Sequence, residues 1–209
     1  MKTQFKTLIL SAAITATSPQ IFGETLTIGF DKSGSNALMT DAHFAAGAAD
    51  FVYERIKPLK NGDIVRLRTF GSRDNAGNEF AQDFKITRHL QAESLAQSLK
   101  NFIHTLPNQK DQAQQSTNII AEIEFDDGLN CDGGGTAVYL TDGLEHSVYV
   151  DANKFLAGQQ HLPKPQMDLT GCTVIFYGIG TGFPANAERF MRAEWKAFIE
   201  TAGGKFIPK

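Results

Sequence analysis

The stretch T-L-T-I-G-F-D-K-S-G-S, Thr25 to Ser35, changes character at one residue. Up to Phe30 it is a short run of β-branched and apolar residues, the composition of a strand buried on both faces. Asp31 ends that run with a carboxylate. Lys32 to Asn36 then supplies small polar residues that cannot continue a buried strand and read as a loop. A helix is expected next, with Asp41 as its N-cap. Phe44, Ala48, Phe51, Val52 and Ile56 recur at helical spacing until Pro58 stops the run. A buried strand, an acid, a loop and an amphipathic helix make the opening of an α/β unit.

The rest of the chain repeats this grammar. Asn61-Gly62 turns into a second strand, Ile64 to Phe70. After the polar turn Gly71 to Asn78, a third strand, Phe80 to Thr87, is expected to pair with the second as a hairpin. Leu95, Leu99, Phe102 and Ile103 mark a helix from about Ala92 to His104, closed by Pro107. Asn108 to Gln115 reads as a polar turn, and Ser116-Thr117 begins a short helix through Ile123. Ala137 to Leu140 is a fourth strand that runs into Thr141-Asp142-Gly143, and Cys172 to Tyr177 is a fifth. A last helix, about Asn186 to Thr201, carries Phe190, Met191, Trp195, Phe198 and Ile199 as core residues, and Gly203-Gly204 releases the chain into Lys205 to Ile207. The expected fold class is α/β: a doubly wound, mostly parallel sheet with one antiparallel edge strand and helices on both faces. Ligands of such sheets bind beyond the carboxyl ends of the strands, where Asp31 and Asp142 fall.

The sequence ahead of Thr25 has a different build. Lys2 and Lys6 precede an apolar stretch, Thr7 to Ala16, and then small or turn-forming residues around Ser18, Pro19 and Gly23. That is the plan of an export signal, with cleavage after Ala16 or after Gly23 both compatible. The expected division is a signal over 1–23 and one domain over 24–209, exported to the periplasm or secreted, with no membrane span in the mature part. Hydrophobic residues make up 42% and charged residues 21%, as in a packed soluble fold. The formal charge of −3 becomes more negative once Lys2 and Lys6 are removed, which argues against nucleic acid and anionic membrane surfaces as partners.

The chemistry-bearing residues are Asp31, Ser33 and Ser35 in D-K-S-G-S, Thr117 in S-T-N-I, and Asp142 in L-T-D-G. All are hard oxygen donors, and three of the five are neutral hydroxyls. A hard dication such as Mg2+ takes such ligands and keeps several waters, so few direct carboxylates are required. Gly34 is expected to let the loop fold round the ion. Read separately, Asp31 and Asp142 are also acceptable helix caps and the serines a turn. Taken together and in order, these motifs resemble the von Willebrand factor A family, whose metal-ion-dependent adhesion site combines a D-x-S-x-S loop, a distant Thr before a helix and an Asp-Gly pair after the fourth strand. The resemblance runs from Leu26 to Ile207 and implies that Ser33, Ser35 and Thr117 are direct or near-direct ligands. Asp31 and Asp142 would then act directly or through water.

The resemblance further implies a divalent cation, Mg2+ or in its place Mn2+ or Ca2+, bound by a protein-binding module that is not an enzyme. An Asp or Glu of a protein partner would complete the coordination. The family usually continues past the last strand with a further helix, whose movement in some adhesion receptors switches affinity; Phe206-Ile207 is followed here only by Pro208-Lys209, so constitutive binding is expected. Two other readings stand beside this one. A Mg-dependent phosphoryl-transfer hydrolase would use Asp31 as nucleophile, but it generally needs a second acid where Ser33 stands. A structural subunit of an envelope or secretion assembly would use the metal only to stiffen loops. Cys131, ahead of the fourth strand, and Cys172, opening the fifth, are placed for a disulfide in an oxidising compartment, or else are separate buried thiols. His146, close after Asp142, is a solvated loop residue that could line the partner surface. His43, His89, His104 and His161 lack metal-ligand spacing, and Asp126-Asp127 lacks the spacing of an EF-hand loop.

Overall fold

The computed structural model describes residues 23–72, 81–125, 129, 131 and 134–209. The signal expected over 1–23 lies almost wholly outside the described residues, as does the Asp126-Asp127 turn. The elements follow the expected order. Strand β1 (Thr25–Asp31) leads through a one-turn helix α1 (Ala37–Thr40) to α2 (Ala42–Ile56), then to strands β2 (Ile64–Phe70) and β3 (Ala81–Lys85). Helix α3 (His89–Thr105) continues as a 3-10 helix (Leu106–Gln112), and α4 (Ile119–Phe125) precedes β4 (Thr136–Leu140). The chain finishes with α5 (Ala152–Leu156), β5 (Thr173–Tyr177), α6 (Ala185–Thr201) and β6 (Lys205–Pro208).

The six strands lie in the order β3-β2-β1-β4-β5-β6, all neighbours parallel except the β2–β3 pair. This is the doubly wound sheet with one antiparallel edge expected from the sequence. Its winding reverses between β1 and β4, which run in register with Phe30 opposite Leu140. The loops leaving these two strands therefore part to opposite sides and open a crevice at their carboxyl ends, the place where ligands of such folds bind.

Alternation along each strand sorts the side chains into two cores. Leu26, Ile28 and Phe30 pack with α2 and α3 on one face, while Tyr139, Phe176 and Phe70 pack with α4 and α6 on the other. Gly29 is what allows the second arrangement: a Cβ there would lie 2.4 Å from the Tyr139 ring. Asp41 caps α2, its Oδ1 accepting from the amides of His43 (2.8 Å) and Phe44 (3.1 Å). At the opposite, amino end of the sheet Cys131 and Cys172 are joined by a disulfide with their Cα atoms 4.8 Å apart, so the two are not separate thiols.

Several details differ from the sequence reading: β3 ends at Lys85 rather than Thr87, and the short helices α1 and α5 are additions to the expected elements. Helix α3 begins at His89 rather than Ala92, and the polar run after Pro107 winds into a 3-10 helix. Helix α4 starts at Ile119, two residues later than Thr117, because Thr117 exchanges main-chain hydrogen bonds with His146 and Asn118 takes the cap, its Oδ1 accepting from Ala121 (3.0 Å). No helix among the described residues is long and apolar enough to cross a membrane.

Candidate functional site

Three loops meet at the carboxyl end of the sheet, and each holds part of the expected donor set. The first follows β1. Asp31 is fully buried, with Oδ1 accepting from the Ser33 amide (2.8 Å) and Oδ2 from the Thr141 hydroxyl (2.7 Å). Ser33 is buried and Ser35 exposed, their hydroxyl oxygens 3.4 Å apart. Buried Asn36 sets the path of this loop. Its amide nitrogen donates to the carbonyls of Asp31 and Leu140, both at 2.9 Å, so one side chain ties together the ends of β1 and β4. Gly34 does not play the part expected of it. It has no positive φ, and a Cβ there would meet the Gln114 carbonyl only at 3.6 Å. The loop is shaped by Asn36 and by hydrogen bonds to the second loop instead.

The second loop, residues 113–118, is laced to both others. Gly34 donates to the Gln114 carbonyl and Gln114 to that of Lys32, each at 2.8 Å. On its other side the Thr117 amide donates to the His146 carbonyl (3.1 Å), and the His146 amide donates back (2.8 Å). Thr117 is buried and stands between the D-K-S-G-S loop and the one after β4. That last loop bears Asp142, which is buried; its Oδ1 accepts from the Leu144 amide (2.9 Å), and its Oδ2 is enclosed with no hydrogen-bond partner. Gly143 adopts φ 78°, and a Cβ there would press to 2.8 Å from Ile179. Its carbonyl accepts from the Trp195 indole (2.7 Å), so the largest core residue of α6 also fixes the Asp142 loop.

The electrostatics of this corner are costly. Burial drives the Asp31 carboxyl well above the ordinary carboxylate range, and the nearby Asp142 charge pushes it further against the opposing hydrogen bonds from Thr141 and Ser33. Burial likewise raises Asp142, opposed by the Leu144 amide and the Ser35 hydroxyl. Two enclosed carboxylates that repel one another are relieved by a proton held between them, or by a cation beside them.

The same loops border an open depression of about 340 Å³ lined by Ser33, Ser35, Gln114, Gln115, Thr117, Leu144 and His146; the buried Asp31 and Asp142 are not among the residues that line it. His146 is exposed, with Nδ1 3.2 Å from the Gln115 carbonyl oxygen. No group of three or more His, Cys, Asp or Glu among the described residues is arranged to hold a metal. A cation at this rim would rely on hydroxyls, carboxylates and water, a donor set that suits a hard dication and not a soft one.

The sequence reading missed the residues that assemble the site. Thr141 and Asn36 adjoin the motif, but Gln114 and Glu145 act across loops far apart in the chain, where no spacing signals them. Glu145 is fully buried, and its Oε2 accepts from the amides of Ile119 (2.9 Å) and Ile120 (3.2 Å).

No family model and no curated protein matches the chain. Solved structures similar to it include an aerotolerance-related membrane protein from Bacteroides fragilis NCTC 9343 carrying multiple mutations to serines, 17% identical over 90% of this chain and 92% of that one, with a TM-score of 0.48. The pilus adhesin SpaC from Lactobacillus rhamnosus GG is 14% identical with a TM-score of 0.49; the match covers 91% of this chain and only 28% of SpaC. The SpRpn10 VWA domain is 11% identical with a TM-score of 0.41, over 90% of this chain and 88% of that domain.

Proposed function

We propose that this chain is an exported protein-binding module that holds one divalent cation, Mg2+ or in its place Mn2+ or Ca2+, at the depression bordered by Ser33, Ser35 and Thr117. The observation that carries this reading is Asp142 Oδ2, a carboxylate oxygen enclosed without a partner beside a second buried carboxylate. A buried carboxylate oxygen without a partner costs the fold, and a cation reached through the adjoining depression would offset that cost. When bound, the cation supplies positive charge at an open position that an Asp or Glu of a protein partner would fill. The chain's own residues do the rest: the hydroxyls bind without neutralising that charge, and Asp31 and Asp142 hold it in place. His146, exposed on the rim, would meet the partner.

The module is read as non-enzymatic. Both oxygens of Asp31 already accept hydrogen bonds, from Ser33 and Thr141, and Ser33 stands where a second acid would be needed, which does not suit an attacking nucleophile. The disulfide supports export, since such bonds persist in oxidising compartments.

The test is capture from the exported fraction of the source organism with Mg2+ or with chelator, comparing wild type with Asp142→Ala and following thermal unfolding in parallel. Capture by wild type in Mg2+ alone, with both proteins still unfolding cooperatively in chelator, is the expected result. Capture indifferent to chelator and to the substitution contradicts the proposal, and loss of fold on chelation supports a structural metal instead. Turnover of generic phosphate esters that needs Mg2+ and disappears in Asp31→Asn would reinstate the hydrolase.

A further inference from the structure

Glu145 is a buried acid outside the donor set, and its position is unusual. It is 0% exposed, its Oε2 takes the amides of Ile119 and Ile120, and its Oε1 is enclosed with no partner. An enclosed carboxylate with an idle oxygen is a net cost to a fold unless it fixes something. What it touches is informative. On one side Ile119 follows Thr117 by two residues; on the other, His146 is the next residue after Glu145. Thr117 and His146 exchange two main-chain hydrogen bonds, so these with the two at Oε2 make a four-bond clasp between the loop after β4 and the segment leading into α4.

We infer that Glu145 is the positioning residue for Thr117, holding the second loop against the Asp142 loop so that the Thr117 hydroxyl reaches the depression. The clasp explains why α4 begins at Ile119: Glu145 and Asn118 take its first free amides, which leaves Thr117 in extended backbone to pair with His146. The placement of the loop follows from these hydrogen bonds alone. Its consequence for a cation rests on the reading of Thr117 as a donor.

Two readouts separate these. In metal-free protein, amide hydrogen exchange at Thr117 and His146 reports the clasp at bonds Glu145 does not itself make. Binding of Mn2+ alone, followed by its paramagnetic relaxation, reports the site. Glu145→Met fills the space but offers no acceptor; it is expected to speed exchange at Thr117 and His146 by about tenfold or more and to weaken Mn2+ binding by about tenfold, with unfolding still cooperative. Glu145→Gln keeps an acceptor and is expected to restore both to within about threefold of wild type. Glu145→Asp, with its carboxylate drawn back by one methylene, is the milder variant and is expected to show the Met pattern at smaller size. Exchange at Thr117 and His146 unchanged in the Met and Asp variants overturns the inference, as does a Gln variant that behaves like Met. The exchange effects in the variants, together with a wild type that binds no Mn2+, contradict the cation reading alone.

Discussion

Asp142 uses one carboxylate oxygen for the Leu144 amide and leaves the other idle in a closed space. Asparagine at this position keeps the acceptor and discards the buried charge. Asp142→Asn is therefore expected to equal or exceed wild type in chelator, by up to about 1–3 kcal/mol, and to lose the stabilisation that Mg2+ gives the wild type. Denaturant melts with and without Mg2+ check this; destabilisation in chelator with the Mg2+ effect intact contradicts it. Glu145 makes a second prediction. Burial, with a smaller push from Glu124, raises its carboxyl from 4.5 to about 7 against the nearby Ser147 hydroxyl and the amides of Ile120 and Ile119. Across that window the folded protein holds a proton that the unfolded chain has released, so the contribution is complete below the unfolded pKa and is lost as pH rises through the folded one. Metal-free melting temperature should fall as pH rises from about 5 to about 7.5, with Asp31 and Asp142 acting in the same direction, and Glu145→Gln should make that slope shallower without abolishing it. A flat or rising wild-type profile contradicts this. The sequence made Asp31, Ser33, Ser35, Thr117 and Asp142 legible because their order and the strand ends beside them form a pattern. Glu145 and Gln114 were not legible, since hydrogen bonds between distant loops leave no periodicity. The part given to Gly34 was wrong because a glycine in a polar loop invites a conformational role that its φ does not require.

Among the elements, strands were read to within a residue or two because alternation and β-branched composition are local properties. Helix starts were read less well, since caps are settled by tertiary partners: Glu145 and the His146 pairing moved the start of α4. The one-turn α1 and short α5 carry too few residues for a period to register. Helix α6 was legible as core, yet its link to the site was not. Trp195→Ala removes a fully buried ring and the indole bond to the Gly143 carbonyl, and is expected to cost about 3–5 kcal/mol while loosening the Asp142 loop. Trp195→Phe keeps most of the packing without the donor, so it should hold the fold while faster exchange appears at the Leu144 amide. A Leu144 amide as protected as in wild type would show that α6 does not brace the loop.

At the scale of the whole molecule, the sheet separates two poles. The disulfide closes the amino end between the starts of β4 and β5, and the oxygen-lined depression occupies the carboxyl end at the winding reversal of β1 and β4. Opening Cys131–Cys172 by paired serine substitution is expected to cost about 2–4 kcal/mol in stability and to leave cation affinity unchanged. A fall in affinity with the fold retained would mean that the poles are coupled. The central claim is that loops brought together from three parts of the chain share one divalent cation. Crystals of the protein soaked in Mn2+ and measured at the manganese absorption edge test it most directly. The account calls for one anomalous peak in the depression, within bonding reach of Ser33, Ser35 and Thr117 oxygens and beside Asp142. No peak there at tens of millimolar Mn2+, or a peak held elsewhere by other groups, would contradict it.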